Sequence, residues 1–226
     1  MSSIRFRLHH LLGGLALALA SLAAHADFAS DVTVKLIAPG GLIGDSTPIS
    51  LSQTVAVADL ATGVVAANLL SPNVSAGDIG SLMLDNERIF FSGNSIFIRA
   101  GAGTTLDGAL VTGYLGSGGS PARYQIDGLA ITGQAITGFT AYAFDGFATS
   151  GTTGLLSPAS AVGLVQLVNP HAVSFNLDSL VFANRGGEGA SYAEFRIDLT
   201  TVPVPEPATA LLLAGGLLVV LRRRRG

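Results

Sequence analysis

The chain has 226 residues, 49% of them hydrophobic and only 12% charged, with a formal net charge of −3, 29 Gly and neither Cys nor Trp. The missing cysteines exclude a disulfide scaffold, a Cys-ligated zinc site, an iron–sulfur cluster and a thiol nucleophile. A mean hydropathy of +0.55 excludes an ordinary disordered chain, and the negative balance offers no basic footprint for nucleic acid.

Residues 1–26 read as a secretory signal peptide. Arg5 and Arg7 form a positive start, Leu11 to Leu22 an uncharged apolar stretch, and Ala24-His25-Ala26 a small-residue site for signal peptidase. Cleavage after Ala26 leaves Asp27 as the new N-terminus. At 12 residues, the stretch 11–22 is short against the ~20 that span a bilayer.

Residues 27–202 form the expected folded domain. Between 27 and 205, six bases (Lys35, Arg88, Arg99, Arg123, Arg185, Arg196) stand against 14 acids, a net charge of −8. That balance favours solubility and disfavours anionic membranes and nucleic acid. Val32, Val34 and Leu36 alternate with Thr33 and Lys35. The same period of two recurs over 123–127, 173–178 and 193–199, as half-buried antiparallel strands require. Apolar runs at 88–91, 95–99, 109–115 and 180–183 add strands. Asp107-Gly108, Asp127-Gly128 and Asp145-Gly146 read as tight turns; Gly116–Pro121 and Arg185–Gly189 read as loops. The Ala/Leu/Val-rich stretches 55–70 and 155–168 are expected to hold short helices. Ala130-Ile131-Thr132-Gly133 and Ala135-Ile136-Thr137-Gly138 suit neighbouring strand and turn segments rather than a solenoid. Strands punctuated by turns, without a βαβ rhythm, predict an all-β fold: an antiparallel β-sandwich or a jelly roll.

Residues 203–226 are a second targeting segment. Pro203, Pro205 and Pro207 exclude a helix before Pro207, which itself suits a first helical position. The uncharged run 208–221 predicts a membrane helix of 14 residues. It reaches ~21 Å against a hydrocarbon core of ~30 Å, a deficit that snorkelling arginines reduce. Arg222, Arg223, Arg224 and Arg225 fix that end in the cytoplasm. Val204-Pro205-Glu206-Pro207, the Leu/Ala/Gly run and the four arginines, in this order, resemble the PEP-CTERM sorting signal. The resemblance is confined to this segment. It implies recognition by an exosortase, a membrane-embedded cysteine transpeptidase-like enzyme of Gram-negative bacteria. It further implies processing near Glu206, loss of the helix, and transfer to the cell surface or release. Organisms using the signal make extracellular polysaccharide, which becomes an expected partner. The resemblance carries no implication for residues 27–202.

Side chains for chemistry are scarce. Once the signal peptide is removed, His171 is the one remaining histidine, next to Pro170 at a loop entering a strand and without a Gly-x-Ser-x-Gly elbow. One histidine builds no metal cluster. Gly101-Ala102-Gly103 and Gly116-Ser117-Gly118-Gly119 lack the spacing and Lys-Ser/Thr ending of phosphate loops. Asp85-Asn86-Glu87 is an oxygen-rich triplet that is a weak Ca²⁺ candidate, set against a solvated turn before Arg88. Tyr114, Tyr124, Tyr142 and Tyr192 are the amphipathic aromatics available to a sugar, though each suits a strand core. No catalytic residue, cofactor or metal is assigned. The sequence therefore predicts a non-catalytic surface or matrix protein rather than an enzyme. A carbohydrate-binding module is the alternative, and a carboxylate-based secreted hydrolase the next.

Overall fold

The computed structural model describes residues 27–65, 82–84, 87–144, 154–187 and 190–204. The signal peptide with Ala24 and Ala26, the Asp145-Gly146 turn, and the segment from Pro205 to Arg225 lie outside the described residues.

Alternation decides which side each strand buries. In β1 (Val32–Ala38) Val32, Val34, Leu36 and Ala38 are fully buried while the residues between them are half-exposed. One five-stranded sheet runs β13 (Val165–Asn169), β14 (Ala172–Asn176), β10 (Arg123–Asp127), β1, β3 (Ile49–Val55). A second runs β11 (Gln134–Phe144), β16 (Tyr192–Pro203), β6 (Ser95–Gly101), β5 (Arg88–Ser92), β4 (Val64–Val65). Two smaller sheets complete the fold. They are β12 (Leu155–Ser157), β15 (Val181–Phe182), β8 (Ala109–Val111), β7 (Thr104–Leu106), and the pair β2 (Gly41–Leu42) and β9 (Tyr114–Leu115). Their pairings are antiparallel, as the alternation predicts.

The two large sheets present their apolar rows to one core. Phe175 on β14 meets Phe195 on β16 with ring centroids 4.8 Å apart, joining strands of different sheets. Ile96, Ile98, Ile126, Val173 and Ile197 fill the space around them, each with no exposed surface. Removing either ring to Ala costs about 3–5 kcal/mol, the transfer term plus the cavity it leaves.

The expected strands at 32–36, 88–91, 95–99, 123–127 and 193–199 are present. The run 109–115 is broken by Gly113 (φ +90°) into β8 and β9, which join different sheets. Asp107 (φ +50°) and Gly108 (φ +81°) make the two-residue turn between β7 and β8. Asp127-Gly128 is not a hairpin. Asp127 ends β10, and Gly128 (φ +82°) passes so close to Asp31 that a Cβ would lie 2.9 Å from its carbonyl oxygen. The helices expected over 55–70 and 155–168 are reduced, among the described residues, to 3-10 turns at Val57–Asp59 and Ala161–Leu164. Gly63 (φ +67°) and Pro158 interrupt any longer helix, and Val64, Val65 and Val165 go into strands instead.

Candidate functional site

Two clusters of functional side chains stand out, one buried and one on a sheet surface. The buried one centres on Glu87, the last residue of the oxygen-rich triplet; Asp85 and Asn86 lie outside the described residues. Glu87 immediately precedes β5 and is 1% exposed. Its Oε1 accepts the Gly101 N–H at 2.9 Å, and its Oε2 accepts the Leu84 N–H at 2.9 Å. The hydroxyls of Tyr114 and Tyr124 both lie 3.1 Å from Oε2. Tyr114 also sits 2.9 Å from the Leu82 carbonyl, and its one proton serves a single acceptor at a time. Burial pushes the Glu87 carboxyl up to about 7, against the opposing pull of the Gly101 and Leu84 amides and the two hydroxyls. Burial first, and the Glu87 charge second, push both tyrosines well above their usual value. The cluster ties Leu82, Leu84 and Glu87 to the end of β6, to β9 and to β10. Its carboxyl oxygens face protein donors and not solvent, an arrangement that fixes a core and gives substrate no access.

The surface cluster lies on the outer face of the second large sheet. Cross-strand register sets Tyr142 opposite Arg196, Arg196 opposite Phe97, and Phe97 opposite Phe90. The Phe90 and Phe97 rings stack at 4.7 Å with planes 6° apart, and the Arg88 guanidinium lies 4.1 Å over Phe90. Arg196 lies 4.9 Å over Tyr142; Arg99 and Arg185 lie 4.6 and 5.1 Å from Tyr192. Two carboxylates share the face. Glu194, fully buried, pairs with Arg99, and Asp198 lies 3.0 Å from Arg196 Nε. Four of the six basic side chains between residues 27 and 205 thus gather on one sheet surface.

The four tyrosines divide accordingly. Tyr114 and Tyr124 are core residues, as strand positions predict, whereas Tyr142 is 38% exposed and Tyr192 half-buried on this outer face. The arginine–aromatic cluster was not anticipated. Its signal was the placement of Arg88, Phe90, Phe97, Arg99 and Arg196 at the outward positions of alternating strands.

His171 is exposed in the turn between β13 and β14, with Nδ1 2.8 Å from the Leu129 carbonyl and its backbone N–H donating to Asn169 Oδ1 at 2.8 Å. A groove of about 310 Å³ is lined by Phe28, Leu60, Phe91 and neighbours, and Asp27 is the one ionisable side chain along it among the described residues.

At the other end of the domain, β16 stays in the sheet as far as Pro203, opposite Gln134. The Val204 N–H then donates to the Gly133 carbonyl at 2.9 Å. Val204, the first residue of the sequence-predicted sorting motif, is therefore tied to the domain, and Pro205, Glu206, Pro207 and Arg222–Arg225 lie outside the described residues. A family model for the PEP-CTERM protein-sorting motif matches residues 203–225. The chain carries a PEP-CTERM sorting motif. The motif implies export, an exosortase as processing partner, and sorting to the cell surface. The match begins at the last residue of β16 and leaves the rest of the β domain unassigned. Comparison with curated proteins and with solved structures returns no match.

Proposed function

We propose that this chain is the precursor of an exported, non-catalytic surface or matrix protein. Its β domain, two facing sheets read as a β-sandwich, is delivered outside the cell and associates there with extracellular polysaccharide. The observation that carries the reading is the sorting motif at 203–225, attached to β16 without an intervening linker. Signal peptidase removes residues 1–26. The helix over 208–221 holds the precursor in the inner membrane with Arg222–Arg225 in the cytoplasm. Exosortase then acts near Glu206 and the helix is lost.

The test is replacement of Pro205, Glu206 and Pro207 by Ala. The apolar helix and the arginines remain, so membrane insertion survives while recognition fails. The expected result is full-length protein accumulating in the inner membrane fraction. Normal delivery of the variant to the surface would count against the reading.

A second reading is supported by one specific observation. Tyr142 and Tyr192 lie on the same outer sheet face, the placement a carbohydrate-binding module uses for its ligand. The two readings are compatible, since a matrix protein is retained by what it binds.

A further inference from the structure

We propose that Thr201–Val204, the end of β16 and the residue after it, form a clasp that must leave the sheet before exosortase acts, so that opening of this strand end sets the rate of processing. This inference rests on the sorting reading and adds a step to it: the folded domain guards its own sorting motif.

Val204, the last described residue, is tied to the domain by its N–H on the Gly133 carbonyl at 2.9 Å. Whatever path the chain takes beyond it, Glu206 follows two residues later and stays within ~7 Å, at ~3.6 Å per residue. A processing enzyme has to seat the chain on both sides of the bond it breaks, and a folded sheet two residues away blocks one side. Cleavage at such a site proceeds through the locally open form, and its rate follows the population of that form. Release of Thr201–Val204 moves the fixed point back to Thr200, six residues from Glu206, and extends the reach to ~22 Å. The sheet also shows where the strand parts. The register of β11 and β16 shifts between Ile136 and Gly138. On the near side of that shift Phe195, Ile197 and Leu199 are buried and hold β16 in place. On the far side three register pairs remain: Ile136 with Thr201, Ala135 with Val202 and Gln134 with Pro203. Val202 and Val204 are 45% and 48% exposed, so lifting them uncovers little apolar surface. The side-chain bond that closes the clasp runs from the Thr201 hydroxyl to Gln134 Oε1. The opposing side is fastened more firmly. Ile131 and Ile136 are buried, Phe28 bridges to Ile131, and the Ala29 N–H donates to the Ala130 carbonyl at 2.9 Å. The N-terminal segment thus fixes the 130–136 side, and the end of β16 is the part that lifts.

The experiment follows the full-length precursor by pulse-chase in cells that contain exosortase. Ala135→Cys/Val202→Cys places a disulfide across opposed residues of an antiparallel pair, whose Cα atoms sit ~4.5–5.5 Å apart, within disulfide reach. The chain has no other cysteine, so this lock alone forms on export. The oxidised lock, verified by its resistance to thiol alkylation, should accumulate as full-length protein, and dithiothreitol should restore processing. A flexible Gly-Ser linker inserted between Val204 and Pro205 should make processing faster than in wild type. The same linker should release the locked variant from its block, a rescue that misfolding would not allow. Gln134→Ala, which removes the side-chain bond to Thr201, should speed processing roughly two- to tenfold. An alkylation-resistant lock processed at the wild-type rate would overturn the inference and leave the sorting reading intact. If the thiols stay reduced, the linker and Gln134→Ala decide, and wild-type rates in both overturn it equally. Wild-type precursor that is processed no differently in cells lacking exosortase would instead overturn the sorting reading beneath it.

Discussion

Glu87 allows the buried cluster to be tested quantitatively. Its carboxyl is pushed from 4.5 up to about 7 in the folded protein, chiefly by burial. The folded state then holds the Glu87 proton more tightly than the unfolded state does. Its contribution to stability is fully present below about pH 4.5, declines as pH rises, and is lost once pH passes about 7. A displacement of about 2.5 pH units at 1.36 kcal/mol each makes the loss about 3 kcal/mol. Glu87→Gln removes the titration. It also carries a fixed cost of ~1–3 kcal/mol, because an amide nitrogen cannot accept the Leu84 N–H that Oε2 accepts. Urea unfolding of wild type and variant at half-unit steps from pH 4 to 8.5 cancels the groups common to both. The wild-type advantage should fall by about 3 kcal/mol between pH 4.5 and 7, which closes or reverses the gap, and stay level above. A gap constant across that window would refute the reasoning and show a carboxyl with an ordinary affinity for protons.

Gly63→Ala should destabilise the protein by several kcal/mol, since a Cβ there would lie 1.9 Å from the Ile89 carbonyl oxygen at φ +67°; thermal unfolding reads it directly. Phe195→Ala should lower stability by about 3–5 kcal/mol in urea, because its ring joins the two large sheets. His171→Ala should cost no more than ~1 kcal/mol, the loss of its contact to the Leu129 carbonyl, and leave surface delivery unchanged. Replacing Arg222–Arg225 by neutral residues should weaken orientation in the membrane, read by protease accessibility from the cytoplasmic side.

The strands that alternate strictly were legible because one polar row and one apolar row fix both the period and the face. β1, β10 and β16 show this. β11 was only partly legible. Ala135, Gly138, Ala141 and Ala143 dilute its apolar row, and a register shift between Ile136 and Gly138 resets the phase mid-strand. β3 went unread because Ile49 and Leu51 are separated by serines in a row that is largely exposed. The buried cluster could not be located from sequence. Glu87 looks like a turn residue beside Asp85 and Asn86, and only tertiary folding brings Tyr114 and Tyr124, 27 and 37 residues away, onto its oxygen. The sorting motif is the opposite case. It is recognised as a linear segment, so order and spacing carry it without a fold.

The central claim is the proposal that this β domain leaves the cell by a route that removes its C-terminal segment, residues 208–225. The most direct test is mass spectrometry of the C-terminal peptide of the surface-fraction protein, from cells with and without exosortase. The account predicts that wild-type surface material ends near Glu206, and that exosortase-deficient cells retain the peptide running through Ala208–Leu221 to Arg222–Arg225 in the inner membrane. An intact arginine-rich C-terminus on wild-type surface protein would contradict it, leaving a β domain held by a permanent tail anchor.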